Sequence, residues 1–325
     1  MASAADCLLD PTADTLQAQF RRDVLAGLAQ EQKTIPARWF YDHRGSELFE
    51  AITRLPEYYP TRAEVEILRS HCPHVSDAVG DGRAVIEFGA GSALKTPLLL
   101  DCVAPAAYVA IDISGRFLRE SCETLAQRYP RLPIFPIEAD FTLPVEMPGE
   151  AAGHERLGFF PGSTIGNLGP EGAVDLLRAM RATLGDTSML LIGMDRIKDR
   201  SVLTAAYNDA AGVTAAFNLN LAQRINRELE GSIPVEALAH HAIWNDARAR
   251  IEMHLEAVRD IVFDVCGHRF AMRCGETIHT ENSHKYDARS AATLLLASGW
   301  EPVEDYGDDA FMVILARAAA NAMEP

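Results

Sequence analysis

Between residues 83 and 195 the chain alternates short apolar runs with longer amphipathic ones. The runs at 84–88, 107–113, 134–138, 157–161 and 189–194 are too short for helices and read as buried strands. The stretches at 95–102, 116–129 and 170–184 carry the wider apolar spacing of helices. Strand–helix alternation at this interval predicts a parallel sheet with helices on both faces.

The flanks follow other rhythms. Asp14 can cap a helix with Leu16, Phe20, Val24 and Leu28 on one face. Residues 41–46 read as a loop. Leu48, Phe49, Ile52 and Leu55 then form a short amphipathic helix stopped by Pro56, and Thr61 can cap a helix through Ser70. Residues 196–285 interrupt the α/β alternation: 201–208 and 213–229 are helical in pattern. The segment 249–258 sets Ile251, Met253, Leu255 and Ala257 against Arg250, Glu252, His254 and Glu256, as a half-buried antiparallel strand does. Cys266-Gly267-His268 reads as a hairpin turn. The alternation resumes with a helix at 287–298 and strands near 302–306 and 311–316. The expected division is a nucleoside-binding domain of 63–195 plus 286–325, and a second α+β domain of 1–62 plus 196–285.

The first strand runs into Ile86-Glu87-Phe88-Gly89-Ala90-Gly91-Ser92, and the second ends at Asp112. Glycines let a backbone approach a ligand, and an acid ending the second strand can bond ribose hydroxyls. A dinucleotide fingerprint needs a third glycine, and Ser92, Ala93 and Leu94 supply none, which disfavours a nicotinamide oxidoreductase. The E-x-G-x-G form suits S-adenosylmethionine (SAM), which has no pyrophosphate to seat on a helix N-terminus.

Composition narrows the partners. The 325 residues carry 46 acids against 30 bases, a net charge of −16, which argues against general affinity for nucleic acid or anionic membrane. The six cysteines lack C-x-x-C spacing and read as reduced thiols, and the ten histidines form no clear ligand set, so no metal is expected. Nothing near the N-terminus has the form of a signal peptide, and a cytoplasmic protein is the expectation.

Ligands in open parallel sheets sit at the carboxyl ends of strands. The third strand ends at Asp140-Phe141, whose place in the series suits bonding and stacking an adenine, the alternative being a helix cap and a core aromatic. The fourth runs into Pro161-Gly162-Ser163-Thr164-Ile165-Gly166-Asn167, where Asn167 offers donor and acceptor together, or else caps the helix near Pro170. Glu281 and Ser283 stand two apart, so on a strand they share a face. That pair suits an N–H-bearing heterocycle or, more plainly, a polar outer face. Tyr41, Tyr58, Tyr59 and Tyr207 all fall in the second domain.

Taken together, Trp39–Ser46, Leu55–Arg62, Ile86–Ser92, Pro161–Asn167 and Thr280–Ser283 resemble the SAM-dependent histidine Nα-methyltransferases of ergothioneine biosynthesis, over nearly the whole chain. The resemblance implies a class I Rossmann-like SAM methyltransferase with a second α+β substrate domain. It implies an enzyme that converts L-histidine to Nα,Nα,Nα-trimethylhistidine (hercynine), a small-molecule reaction without nucleic acid or membrane. By the same resemblance Gly89, Ser92, Lys95, Asp112, Asp140 and Phe141 would hold SAM, and Asn167 and Tyr207 the substrate's amine and carboxylate. Tyr58, Glu281 and Ser283 would face the imidazole. Tyr41, Phe49, Gly162, Thr164 and Met253 would complete the pocket, with Asn167 and Tyr41 at the reacting amine. Two rivals share the cofactor: a methyltransferase for another amino acid such as a tryptophan derivative, and a non-catalytic SAM-binding module.

Overall fold

The computed structural model describes residues 16–91 and 94–320. The chain begins with α1 (Leu16–Leu28), β1 (Lys33–Thr34), α2 (His43–Ile52) and α3 (Tyr59–Val79). It continues through β2 (Ala84–Phe88), α4 (Thr96–Val103), β3 (Ala107–Asp112), α5 (Gly115–Arg128), β4 (Ile134–Glu138), α6 (Gly149–Ala152), β5 (Arg156–Phe160), α7 (Pro170–Leu184) and β6 (Met189–Asp195). Then come α8 (Arg200–Ala206), α9 (Val213–Glu228), β7 (Leu238–Asn245), β8 (Arg250–Ala257), β9 (Ile261–Val265), β10 (His268–Met272) and β11 (Thr277–His284). The last elements are α10 (Ala288–Ala297), β12 (Trp300–Asp305) and β13 (Phe311–Ala318).

The five apolar runs become the parallel strands β2 to β6 of a seven-stranded sheet ordered β12-β13-β6-β5-β2-β3-β4. Burial on both faces is why β2 and β3 are apolar end to end apart from Glu87 and Asp112. The sheet is not wholly parallel, since β13 pairs antiparallel with β6 and β12 antiparallel with β13. One face packs on α7 and α10 through Leu176, Leu177, Leu294 and Leu295. The other packs on α3, α4 and α5 through Leu68, Leu99 and Leu118.

A second sheet, β1-β11-β8-β7, covers a separate apolar cluster with Phe20, Phe40, Phe217, Leu221 and Ile251. The separation of the clusters supports the two-domain division, which remains a proposal. The seam expected at residue 62 falls inside α3, which carries Tyr59 near the second cluster and Ile67 into the first.

Several expectations are corrected. The 41–46 stretch is not all loop: α2 starts at His43, because the Asp42 carboxylate caps it by accepting from the Gly45 amide at 2.7 Å. Helix α3 starts at Tyr59, two residues before Thr61, with Pro60 in the first turn where a missing N–H costs nothing, and it continues past Ser70 and through Pro73. Strand β7 has no counterpart in the expected elements, because Ala239-His240-His241 near its start dilute the alternation. Asp14 and Ser92 lie outside the described residues. The expectation of uniformly reduced thiols fails at one pair: Cys72 and Cys102 form a disulfide, with Cα atoms 5.6 Å apart. Packing of α3 on α4 brings them together across 30 residues, which no local spacing signals. Among the described residues no helix is long and apolar enough to cross a membrane.

Candidate active site

The carboxyl ends of the parallel strands open on a cavity of about 350 Å³ that the second sheet closes from the other side. Gly89 and Gly91 adopt φ +73° and +49°, left-handed conformations that make the turn after β2. Asp112 braces that turn: its carboxylate accepts from the Gly91 amide at 3.0 Å and from the Ser114 amide at 2.8 Å. Burial raises the Asp112 carboxyl above its usual value, and these amide bonds oppose the rise. Glu87 also lines the cavity, from β2. It is buried, accepts from Thr96 and Tyr108 hydroxyls at 2.7 Å each, and burial lifts its carboxyl to about 7.

Gly89, Lys95, Asp112, Asp140 and Phe141 all line the cavity. Asp140 is already engaged, since Arg38 forms an ion pair with one oxygen and the Thr142 amide and hydroxyl donate to the other. A carboxylate has about four acceptor positions, so a further donor remains admissible. The Lys95 ammonium is held by Glu64 at 2.5 Å. Glu64 itself is 1% exposed and also accepts from the Gly162 amide at 2.9 and 3.0 Å.

The loop after β5 enters from the same end. Gly162 and Ser163 take φ +83° and +56°, and the Ser163 hydroxyl accepts from the Asp195 amide at 2.9 Å. Gly166 packs so closely on β11 that a Cβ would lie 2.8 Å from the His284 carbonyl oxygen. These restraints fix the 3-10 turn Thr164–Asn167, and Gly162, Thr164 and Asn167 all line the cavity.

From the second sheet and the N-terminal helices come Tyr41, Phe49, Tyr58 and Glu281. The aromatic rings interlock: Tyr41 and Phe49 meet edge-on at 5.7 Å, and Phe49 and Tyr58 at 6.2 Å. A register shift in β11 between His279 and Glu281 turns Glu281 toward the β8 inner face, opposite Met253. Burial lifts the Glu281 carboxyl to about 8, and Lys285 pulls it back down. Burial likewise raises the Tyr41 and Tyr58 hydroxyls well above their usual value, aided by the Glu281 charge, so both stay protonated at neutral pH.

Tyr207, Ser283 and Met253 are buried behind this wall and do not line the cavity. The Tyr207 and Ser283 hydroxyls are 2.6 Å apart, and the Lys285 ammonium reaches both, at 3.1 and 2.7 Å. On the other face of β8, Glu252, His254 and His279 come within 4.8 Å of one another, a group the sequence reading does not single out. Cross-strand pairing of β8 with β11 produces the group. There Arg250 donates twice to Glu252, at 2.7 and 2.5 Å, and the His279 ring bonds the Glu281 carbonyl at 3.0 Å. The cluster thus steadies the backbone that carries Glu281.

Two residues that support the site from behind its lining escape motif reading yet leave a signal. Glu64 stands on the buried α3 stripe with Thr61, Ile67 and Leu68, an acid in an apolar position. Asp195 ends β6 as Asp112 ends β3, so the strand-end rule applied to the last parallel strand finds it.

Residues 20–318 match the family model described as "Histidine-specific methyltransferase, SAM-dependent". The histidine N-alpha-methyltransferase of Mycolicibacterium smegmatis is 38% identical over 311 residues, 91% of this chain and 95% of that protein. The protein of the same name from Mycobacterium tuberculosis is 39% identical over 300 residues, 89% of this chain and 91% of that one. Ergothioneine biosynthesis protein 1 of Neurospora crassa is 29% identical over 301 residues, covering 88% of this chain and 33% of that longer protein.

Proposed function

The chain belongs to the SAM-dependent, histidine-specific methyltransferase family, and from that premise we propose that it methylates the α-amine of L-histidine three times, forming hercynine for ergothioneine. It is a methyltransferase, and SAM is its methyl donor. One observation carries the assignment of residues: the glycine turn and Asp112 share a single cavity with Asn167, Tyr58 and Glu281. The donor end suits SAM. Asp112 would bond ribose hydroxyls and Phe141 would stack on the adenine, since both line the cavity, and Glu64 neutralises Lys95 so that a sulfonium meets no bare cation.

SAM when bound supplies a methyl already activated by its sulfonium. What remains for the protein is placement. Asn167 offers an amide oxygen to the substrate N–H and an amide N–H to the substrate carboxylate. The S–CH3 bond would break as the N–CH3 bond forms, and before each of the three transfers the substrate ammonium would give up one proton to solvent, which frees the lone pair. Tyr41 is a poor base because its hydroxyl is held protonated, so its proposed part is to orient the amine. Glu281 accepts the imidazole N–H, a charge-assisted bond in a dry site. A carboxyl in the cavity wall there favours imidazole over the indole of a tryptophan derivative, and a substrate wall of this kind has no use in a non-catalytic SAM binder. The cytoplasm is the proposed compartment, and the Cys72–Cys102 disulfide runs against it.

Purified protein, SAM and each of the twenty amino acids, with products read by mass, test the proposal. Histidine gaining three methyls is expected, and no methylated histidine would end it. Asp112→Ala is expected to weaken SAM binding by roughly ten- to a hundredfold in calorimetry, because the turn loses its brace and the cavity its acid. Unchanged SAM affinity would remove Asp112 from the cofactor site.

A further inference from the structure

Behind the substrate wall lies a fully buried ion pair. The Lys285 and Asp195 side chains are both 0% exposed, and their charged atoms are 2.8 Å apart. Asp195 also accepts from Tyr59, at 2.9 and 2.7 Å, and from Lys198 at 2.5 Å. Burial would raise the Asp195 carboxyl, but Lys285 and Lys198 overcome it and hold it below its usual value. A buried ion pair is weak evidence of a stabilising role, because desolvation cancels most of the attraction. The arrangement around Lys285 points instead to the substrate.

An ammonium has three protons to donate. Those of Lys285 go to Asp195, to the Ser283 oxygen at 2.7 Å and to the Tyr207 oxygen at 3.1 Å. Each hydroxyl oxygen therefore accepts from Lys285. Two hydroxyl protons remain, and the 2.6 Å Tyr207–Ser283 bond uses one of them. The other has no acceptor among the described residues. The pair is thus locked as a net donor with one O–H to spare, beside Glu281, which is the acceptor. A neutral imidazole has one bare nitrogen and one N–H, the complementary pattern.

We propose that Lys285 is a positioning residue for substrate specificity: from behind the lining residues it polarises the Tyr207–Ser283 hydroxyl pair, so that the spare O–H backs the wall beside the Glu281 acceptor and meets the imidazole when the substrate enters. This rests on the histidine reading above. Lys285 is also the cation that draws the Glu281 carboxyl back toward ionisation. The other titratable groups coupled to Glu281 are the hydroxyls of Tyr41, Tyr58 and Tyr207, all of which remain protonated.

The test is Lys285→Met, in which Asp195 keeps Lys198 and Tyr59 as partners. KM for L-histidine is expected to rise about tenfold or more, with the SAM dissociation constant within about twofold. The acid limb of kcat/KM should move to higher pH, because Glu281 loses its cation. A merely structural role would lower melting temperature and kcat together and leave the limb in place, which would overturn the proposal. The double variant Tyr207→Phe/Ser283→Ala deletes the donor pair with little change of shape, and serves even where Lys285→Met does not fold. It should show the same selective rise in KM, and a KM within about twofold of the parent would also overturn the proposal. Parent protein that methylates no histidine would refute the functional reading itself, whereas an active parent with indifferent variants refutes only the role of Lys285.

Discussion

Asn167→Ala is expected to lower kcat for histidine methylation by about a hundredfold or more while SAM affinity stays within about twofold. The reason lies in how rigidly that amide is presented. Gly162 and Ser163 occupy left-handed conformations, Ser163 is tied to the Asp195 amide, and Gly166 leaves no room for a Cβ against His284. With the turn fixed, Asn167 lines the cavity and its side-chain amide bonds no other described residue, so both ends of that amide are available to a substrate. In-line displacement tolerates little error in the amine's direction, and an ångström of misplacement costs about a hundredfold. Asn167→Asp separates the two ends of the amide: it keeps the acceptor for the amine, loses the donor and sets a negative charge toward the substrate carboxylate. It should therefore raise KM as well as lower kcat. Single-turnover rates with calorimetry for SAM check both variants, and near-parental turnover in Asn167→Ala would remove this residue from the reacting centre.

The parallel sheet was legible because its strands are buried on both faces, so each reads as an uninterrupted apolar run whose carboxyl end can be located. Gly89, Asp112, Asp140 and Asn167 follow from that rule, and they do line one cavity. The second sheet was harder to read. Its strands mix buried and exposed positions, β7 carries two adjacent histidines, and the shift in β11 that aims Glu281 is a register event between strands. No local pattern encodes such an event. Tyr207 and Ser283 share a site with Lys285 through a contact spanning 78 residues, and resemblance to a family pointed to the first two. The resemblance does not reveal that they stand behind the cavity wall. The charges that set the site, Glu64 and Lys285, are partnered across the fold, and partnership of that kind follows only from the three-dimensional arrangement.

Glu281→Ala should weaken L-histidine binding by roughly 1–3 kcal/mol, since an imidazole N–H is then left buried without an acceptor. SAM binding should barely change, and equal loss of both in calorimetry would sink the assignment. The same carboxyl has a cost in the free protein. Burial raises it from 4.5 to about 8, so between those values the folded state holds a proton that the unfolded state has released. Its contribution to stability is complete below the lower value and is lost as pH rises through the upper one. Glu87, raised to about 7, acts in the same direction, so removing Glu281 removes only part of the slope. Glu281→Gln, which has no proton to lose, should therefore melt at a higher temperature than the parent at pH 8 to 9, with a smaller difference near pH 5, where the parent carboxyl is protonated. Histidine binding by the parent should strengthen as pH rises through about 8, partly because the α-amine deprotonates and partly because Glu281 ionises. The Gln variant should keep only the amine's share. Equal pH slopes in parent and variant, for both melting and binding, would mean that Glu281 is already ionised in the free protein and that its placement in a dry pocket is wrong.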